Sequence, residues 1–468
     1  MPNATPPHPR PTDVTTGDRP SRSPWIAQLA PDGPPRPLDE DAQADVAIVG
    51  AGIAGVATAY FILRSTRSRV ILVERDRVAR GATGRNAGQL TTYFERPLAD
   101  IAEAYGEGLA IEAQRAFDEA HALLDDMAAE VGSDVRIERF TGHMGMFTLD
   151  QVLVHLRNAR LRRDGGLALE TCAVSEEAPF LSGIPDEFAS LYGVVPQARI
   201  RDLLETDDDR YRAVLSDRKG CINGAAFVQE VLASLEACYP DRFRFVDHTP
   251  VERVVVGEDG AVLLARGHSI AASRVVLCTN GYVDHVVEDG VGARIDLPAA
   301  QRIAGTVGYM AAFVEDEPRP PAAMSYIRNV TVGSGQTPYV YVTRRTYDRA
   351  GGPVTLTCMG GPEHPLEGLV YDPLAAVPAA ILAEMDTTIR PFAQPGRRAG
   401  RPYDFQWHGL MGYNEGLVRV IGADPRHRAL LYNLGCNGVG FLPSIAGGQR
   451  VARLLAGEVL GPSIFDPT

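Results

Sequence analysis

Lysine is almost missing from this chain: Lys219 stands alone among 468 residues, and arginine supplies the rest of the positive charge. Any Schiff-base or lysine-base chemistry therefore has a single candidate. Basic clusters are also absent, and the formal charge of −13 would repel nucleic-acid phosphates and anionic membranes, which points to a soluble acidic protein. The six cysteines form no C-x-x-C pair and are sparse for the length, which fits a reducing compartment, so a cytoplasmic location is expected. Val46 to Leu63 carries no charge over eighteen residues, long enough to be considered as a membrane span of about 20 residues. Three glycines interrupt it, and no integral membrane segment is expected. The first 37 residues hold eleven prolines and no continuous apolar run. They read as a disordered proline-rich arm rather than a signal peptide, although Ser23-Pro-Trp-Ile26 could dock on the body.

What is present is a dinucleotide fingerprint. Val46 to Val49 suits a buried parallel strand, and Gly50, Gly52 and Gly55, with Ile53 and Ala54 between them, spell G-x-G-x-x-G where a helix should begin. Gly50 permits the tight turn, Gly52 lets backbone N–H groups approach a pyrophosphate, and Gly55 lets helix and strand lie close. The anion then meets the positive end of the helix dipole. Glu74, followed by Arg75, ends the next strand about twenty residues on, where a carboxylate accepts hydrogen bonds from ribose hydroxyls. No basic residue replaces it, which favours FAD or NAD over NADP.

The length exceeds the roughly 250–300 residues at which one core stops growing, so two domains are expected. Helical spacing over Leu98–Val131, a strand at Thr141–Leu149 and a helix at Gln151–Arg163 are followed by a charged, loop-like stretch at 191–217. Strands resume from Phe243 and end at Leu277-Cys-Thr-Asn-Gly281, suited to a return to the nucleotide sheet. From Gln301 to His364, β-branched and aromatic residues predict a separate sheet. Strand, glycine loop and helix recur at 429–455. The expected fold is α/β: a discontinuous Rossmann-like FAD-binding domain (40–100, 220–295 and 405–465) with an inserted mixed β-sheet substrate domain (101–219 and 296–404).

Four separated motifs, namely G-x-G-x-x-G with Glu74, Gly81-Ala-Thr-Gly-Arg-Asn-Ala-Gly88, Leu277–Gly281 and Gly435-Cys-Asn-Gly-Val-Gly440, make the chain resemble the D-amino-acid oxidase superfamily. Trp25, the Arg85-Asn-Ala-Gly-Gln89 run and Trp407-His-Gly-Leu-Met-Gly412 look most like its γ-glutamylputrescine oxidase branch. The resemblance implies FAD as cofactor and places Thr83, Gly84, Arg85, Asn86, Ala87, Gly88 and Gln89 around the flavin. It adds Val251, then Thr279, Asn280 and Gly281, and finally Gly435, Asn437, Gly438, Val439, Gly440 and Phe441. Relatives with tethered flavin carry histidine or cysteine at positions held here by Arg85-Asn86 and Tyr413–Glu415, so the FAD is expected to be non-covalent. A helix N-terminus behind the last loop would offer positive partial charge to a reduced flavin.

The implied reaction is oxidation of an amine: hydride passes from the carbon next to nitrogen to flavin N5, and the imine hydrolyses. Oxygen or another electron acceptor completes the cycle. Where relatives acting on α-amino acids carry an arginine clamp, this chain has Met411, and Arg302, Arg344 or Arg345 would have to substitute. An amine is therefore favoured over a free amino acid. His408 is the first candidate for taking the amine proton and His143 the second, with Tyr309, Tyr341 and Tyr413 as residues of a cation cage. Alternative readings are a D-amino-acid dehydrogenase or glycine-oxidase-like enzyme, a flavin monooxygenase, and a non-catalytic flavin- or nucleotide-binding redox sensor.

Overall fold

The apolar run ending at Val49 becomes a strand, Ala42–Val49, buried in the middle of a sheet that has nine strands among the described residues. It lies parallel to Val70–Val73 on one side and His268–Leu277 on the other, with Val46 opposite both Val70 and Arg274. Phe243–Val246 extends the parallel set beyond Val70–Val73, and Leu430–Leu434 joins beside Val275 to Leu277. Strands covered on both faces take apolar residues at successive positions, as Val46–Val49, Val70–Val73 and Val275–Leu277 do. Helix Ile53–Ser65 and helix Phe441–Leu455 pack closely: a Cβ on Gly448 would stand 2.8 Å from the backbone N of Thr58.

The structure, a computed structural model, describes residues 20–297, 302–328, 339–349, 351–368, 370–393 and 402–467. Its second sheet has ten strands, running from Phe405–Asn414 through Ile303–Val314, Val354–Pro365, Tyr339–Tyr347 and Ala322–Ile327. It continues into Glu138–Met146, Ala213–Cys221, Thr171–Ser175 and Tyr192–Val195.

Three expectations need correction. Phe405–Asn414 does not belong to the nucleotide sheet: it pairs antiparallel with Ile303–Val314, Tyr309 facing His408. Pairing partners are chosen by tertiary contact, and an apolar strand carries no local mark of which sheet it will join. The charged stretch at 191–217 is structured, with strand Tyr192–Val195, helix Gln197–Leu204 and the start of strand Ala213–Cys221. The arm is ordered from residue 20, while residues 1–19 lie outside the described residues. Short helix Pro24–Ala27 is capped by Ser23, whose Oγ accepts from the Trp25 amide at 3.2 Å. Trp25 is fully buried, and its large apolar surface outweighs the extended tendency of the prolines around it.

Candidate active site

One cavity of about 610 Å³ runs from Glu74 and Arg75, past Gly50, Gly52 and Thr83, to the loop at 438–441. Its nucleotide end follows from the glycines. Gly50 has φ +102°, and a Cβ there would lie 2.8 Å from the Cys278 carbonyl oxygen. A Cβ on Gly55 would lie 1.8 Å from the Gly50 carbonyl oxygen, so helix and turn touch through backbone alone. Ile53 and Ala54 at the start of the helix line the cavity, and Thr83 Oγ1 accepts from the Ile53 amide at 2.9 Å. Glu74 accepts from the amides of Ala51 at 2.7 Å and Asp76 at 3.0 Å. Burial pushes its carboxyl above the usual range, and those two amides oppose the shift. Arg75 pairs with Asp284 and lies over the Tyr282 ring, and Val251 lines the same end.

Separate stretches of chain close the far end. Asn280 Oδ1 accepts from the Cys436 amide at 3.0 Å, and Asn437 donates its amide to Gly412 at 2.9 Å. Asn280 and Asn437 have φ of 52° and 46°, a left-handed conformation that asparagine tolerates. Thr279, Asn280, Gly438, Val439, Gly440 and Phe441 line the cavity. Gly281, Gly435 and Asn437 do not; they shape the walls. A Cβ on Gly281 would meet the Met411 carbonyl oxygen at 2.5 Å, and Asn437 Oδ1 holds the Asn414 amide at 2.7 Å. Along the flavin segment the faces divide: Thr83, Arg85, Asn86, Ala87 and Gln89 line the cavity, whereas Gly84 and Gly88 face Ile26 and Trp25.

Beyond the loop stand two acids that sequence reasoning missed. Glu95 and Glu363 line the cavity with Tyr93, Tyr309, Tyr339 and Tyr341. Tyr339 donates to Glu95 at 2.8 Å, and Tyr413 donates to Glu363 at 3.0 Å. Among the described residues neither carboxylate has an ion-pair partner. A Cβ on Gly438 would stand 2.8 Å from Glu95 Oε1 and 3.0 Å from the Tyr413 hydroxyl, which ties the acids to the glycine loop. Burial raises the Glu95 carboxyl to about 7; the Tyr339 hydrogen bond and Lys219 lower it, while Glu363 raises it further. Glu363 is raised by burial as well. Lys219 is buried, with Nζ 5.5 Å from the centre of the Tyr93 ring and no hydrogen-bond partner among the described residues.

The two histidines expected to take a proton are elsewhere. His408 is buried off the cavity, Nδ1 2.7 Å from the Tyr371 hydroxyl and Nε2 2.9 Å from the Ala375 carbonyl oxygen. Both ring nitrogens are engaged, and burial lowers its pKa. His143 lies on Glu138–Met146 beside Ser216, its Nδ1 2.9 Å from that hydroxyl, and burial lowers its pKa too. Tyr309 and Tyr341 do line the cavity, and Tyr413 reaches it through Glu363. The possible clamp arginines are likewise displaced. Arg344 is buried in a bidentate pair with Glu205, Arg345 is buried over the Trp25 ring, Arg302 is exposed, and none lines the cavity.

A glycine turn on a buried parallel strand, a carboxylate ending the next strand and a second glycine loop before a helix define a dinucleotide-dependent oxidoreductase. The sequence profile of the FAD dependent oxidoreductases (DAO) matches residues 45–454, and the chain belongs to that family; its cofactor is FAD. A gamma-glutamylputrescine oxidoreductase from Escherichia coli (strain K12) is 35% identical over 69 residues. That match covers 15% of this chain and only 16% of the relative. Glycine oxidase from Geobacillus kaustophilus superposes with a TM-score of 0.63 at 17% identity, covering 91% of this chain and 99% of that one. L-proline dehydrogenase from P. horikoshii superposes with a TM-score of 0.63 at 14% identity, over 92% and 98%. No described helix is long and apolar enough to cross a membrane.

The residues present fit FAD at an observable point: the glycine turn leaves backbone-only space, and Glu74 is half-buried on the cavity wall. Glu74→Ala is expected to weaken FAD binding by roughly 10–100-fold, the loss of hydrogen bonds to a charged group. Titrating flavin into the apoprotein checks this, and an unchanged dissociation constant would move the ribose away from Glu74.

Proposed function

We propose that the protein oxidises a cationic amine, with Glu95 accepting the proton that the substrate must lose. Support comes chiefly from the carboxylates Glu95 and Glu363 within a ring of tyrosines, against the flavin loop and without an ion-pair partner among the described residues, although the buried Lys219 acts on Glu95 from a distance. Such a chamber attracts an ammonium through its charge and its aromatic faces. It would repel the carboxylate of an amino acid, for which none of Arg302, Arg344 and Arg345 is available.

An alkylammonium has a pKa near ~10.4 and carries no free electron pair at neutral pH. Glu95, raised to about 7, is ionised in part at that pH and basic enough to take the proton. Tyr339 steadies the carboxylate through its hydroxyl, and the tyrosine rings exclude water around the neutral nitrogen. When bound, FAD supplies the two-electron acceptor for the hydride leaving the neighbouring carbon. Water then adds to the resulting iminium carbon, and the C–N bond breaks to give a carbonyl compound and the released amine. In this reading His408 is a positioning residue that orders Tyr371, itself a residue of the cavity wall. The FAD is held non-covalently.

Anaerobic mixing of the purified flavoprotein with mono- and diamines, N-methyl amines, and D- and L-α-amino acids tests the reading. Bleaching of the flavin band by an amine, with amino acids inert, is the expected result; re-admitting air then separates an oxidase from a dehydrogenase. Bleaching by α-amino acids alone would overturn it.

A further inference from the structure

We infer that the N-terminal segment from Pro20 to Gln28 is a working part of the cofactor site: a strap that holds the flavin segment in its binding shape and docks more tightly when FAD is present. The segment precedes residue 45, where the match to the family begins. Its contacts converge on residues 84–88. Ser23 donates its hydroxyl to the Gly84 carbonyl, and Trp25 Nε1 donates to the Asn86 carbonyl at 2.6 Å. Arg85 Nη1 donates to the Ser21 hydroxyl at 3.1 Å. Arg85 and Asn86 are themselves cavity residues, so the strap grips the back of a wall whose front faces the cofactor.

The strap crowds Gly84 and Gly88, in addition to the Ala79 carbonyl oxygen at 2.4 Å from a Cβ on Gly84 and the Arg345 guanidinium at 2.8 Å from one on Gly88. A Cβ on Gly84 would lie 2.9 Å from the Ile26 side chain, and one on Gly88 would lie 3.1 Å from the Trp25 ring. The Arg345 guanidinium lies over that ring at 4.5 Å from its centre. The strap is also fastened to both sheets' surroundings. Arg22 donates its amide to the Gln406 carbonyl at 2.7 Å, and Asn223 Nδ2 donates to the Trp25 carbonyl at 3.2 Å. Trp25 packs edge-on to Trp407, ring centres 6.4 Å apart.

A segment with so many contacts on one wall of a ligand site is thermodynamically linked to that ligand: whatever the strap adds to FAD affinity, FAD adds to strap docking. Trp25 is a positioning residue, acting on FAD through Asn86 and Arg85. Two measurements test this. In the wild-type protein, trypsin cleavage after Arg22, followed by intact mass, is expected to be at least tenfold slower with FAD than in the apoprotein. In Trp25→Ala, the FAD dissociation constant is expected to rise at least tenfold, with Trp25→Phe falling between the two. Equal cleavage rates in apo- and holoprotein, or a Trp25→Ala variant that binds FAD as tightly as the wild type, would overturn the inference. The cleavage arm needs no variant, so a Trp25→Ala protein that does not fold leaves the test intact. Neither readout depends on which substrate is oxidised.

Discussion

Replacing Glu95 with glutamine is expected to slow anaerobic flavin reduction by an amine by about 10²–10⁴-fold, the range of a positioned general base, while FAD stays bound. Glutamine keeps the shape and can still accept the Tyr339 hydrogen bond, but it cannot hold the amine's proton. The pH dependence follows from the position of this group. With the Glu95 carboxyl raised to about 7, the base form is lost as pH falls through that value. Wild-type kcat/KM should decline on the acid side of about pH 7, and that limb should be missing in the variant. An acid limb that persists unchanged in Glu95→Gln would assign it to another group and remove Glu95 from the mechanism.

The same shift makes a stability statement with the opposite sign from the usual carboxylate. A folded-state pKa raised above the unfolded one means that the contribution of the bound proton is present below about pH 4.5 and lost as pH rises through about 7. A displacement from 4.5 to about 7 corresponds to roughly 3 kcal/mol at 1.36 kcal/mol per unit. Glu95→Gln has no such proton to lose, so apoprotein melting temperatures of variant and wild type should diverge in the variant's favour between pH 5 and pH 8. Activity and stability are thus opposed at one residue, as expected where a buried charge serves chemistry.

The nucleotide half of the site was legible because its requirements are local. A turn that must take φ +102° and a helix that must touch a strand through backbone leave glycine as the only residue, and the spacing to Glu74 is set by one strand–helix–strand unit. The two acids of the cage were not legible, for a different reason. Glu95 sits between Phe94 and Arg96 in a stretch without a motif, and Glu363 ends a strand 268 positions later in the chain. They face one cavity because Tyr339, on the strand paired with Val354–Pro365, reaches back 244 residues along the chain to donate to Glu95. The reverse error befell His408: a histidine next to Trp407 in a strand near the flavin invites a catalytic role, yet the strand turns its ring toward Tyr371 and Ala375. Alternation along a strand decides which face a side chain takes, and the sequence does not say which face is the cavity.

Two glycines of the first turn should respond very differently to a single methyl group, and the larger effect is at Gly55. A Cβ there would stand 1.8 Å from the Gly50 carbonyl oxygen and 3.3 Å from the Leu72 side chain. The first neighbour is backbone, part of a turn whose own glycine abuts the Cys278 carbonyl, so neither side can give way without breaking the strand–turn–helix unit. Gly55→Ala is expected to yield protein that takes up no FAD and is destabilised by well over the ~1 kcal/mol typical of point variants. At Gly52 the added atom would meet only Thr83 Oγ1, at 3.0 Å, a side chain that can rotate. Gly52→Ala should therefore fold, lose the bond from the Ile53 amide to Thr83, and bind FAD more weakly without losing it. Flavin content after gel filtration, with urea unfolding of each apoprotein, measures both. If Gly55→Ala retained a full complement of flavin, the turn would have to be looser than backbone contact at 1.8 Å allows, and the placement of the pyrophosphate against the start of helix Ile53–Ser65 would fall with it.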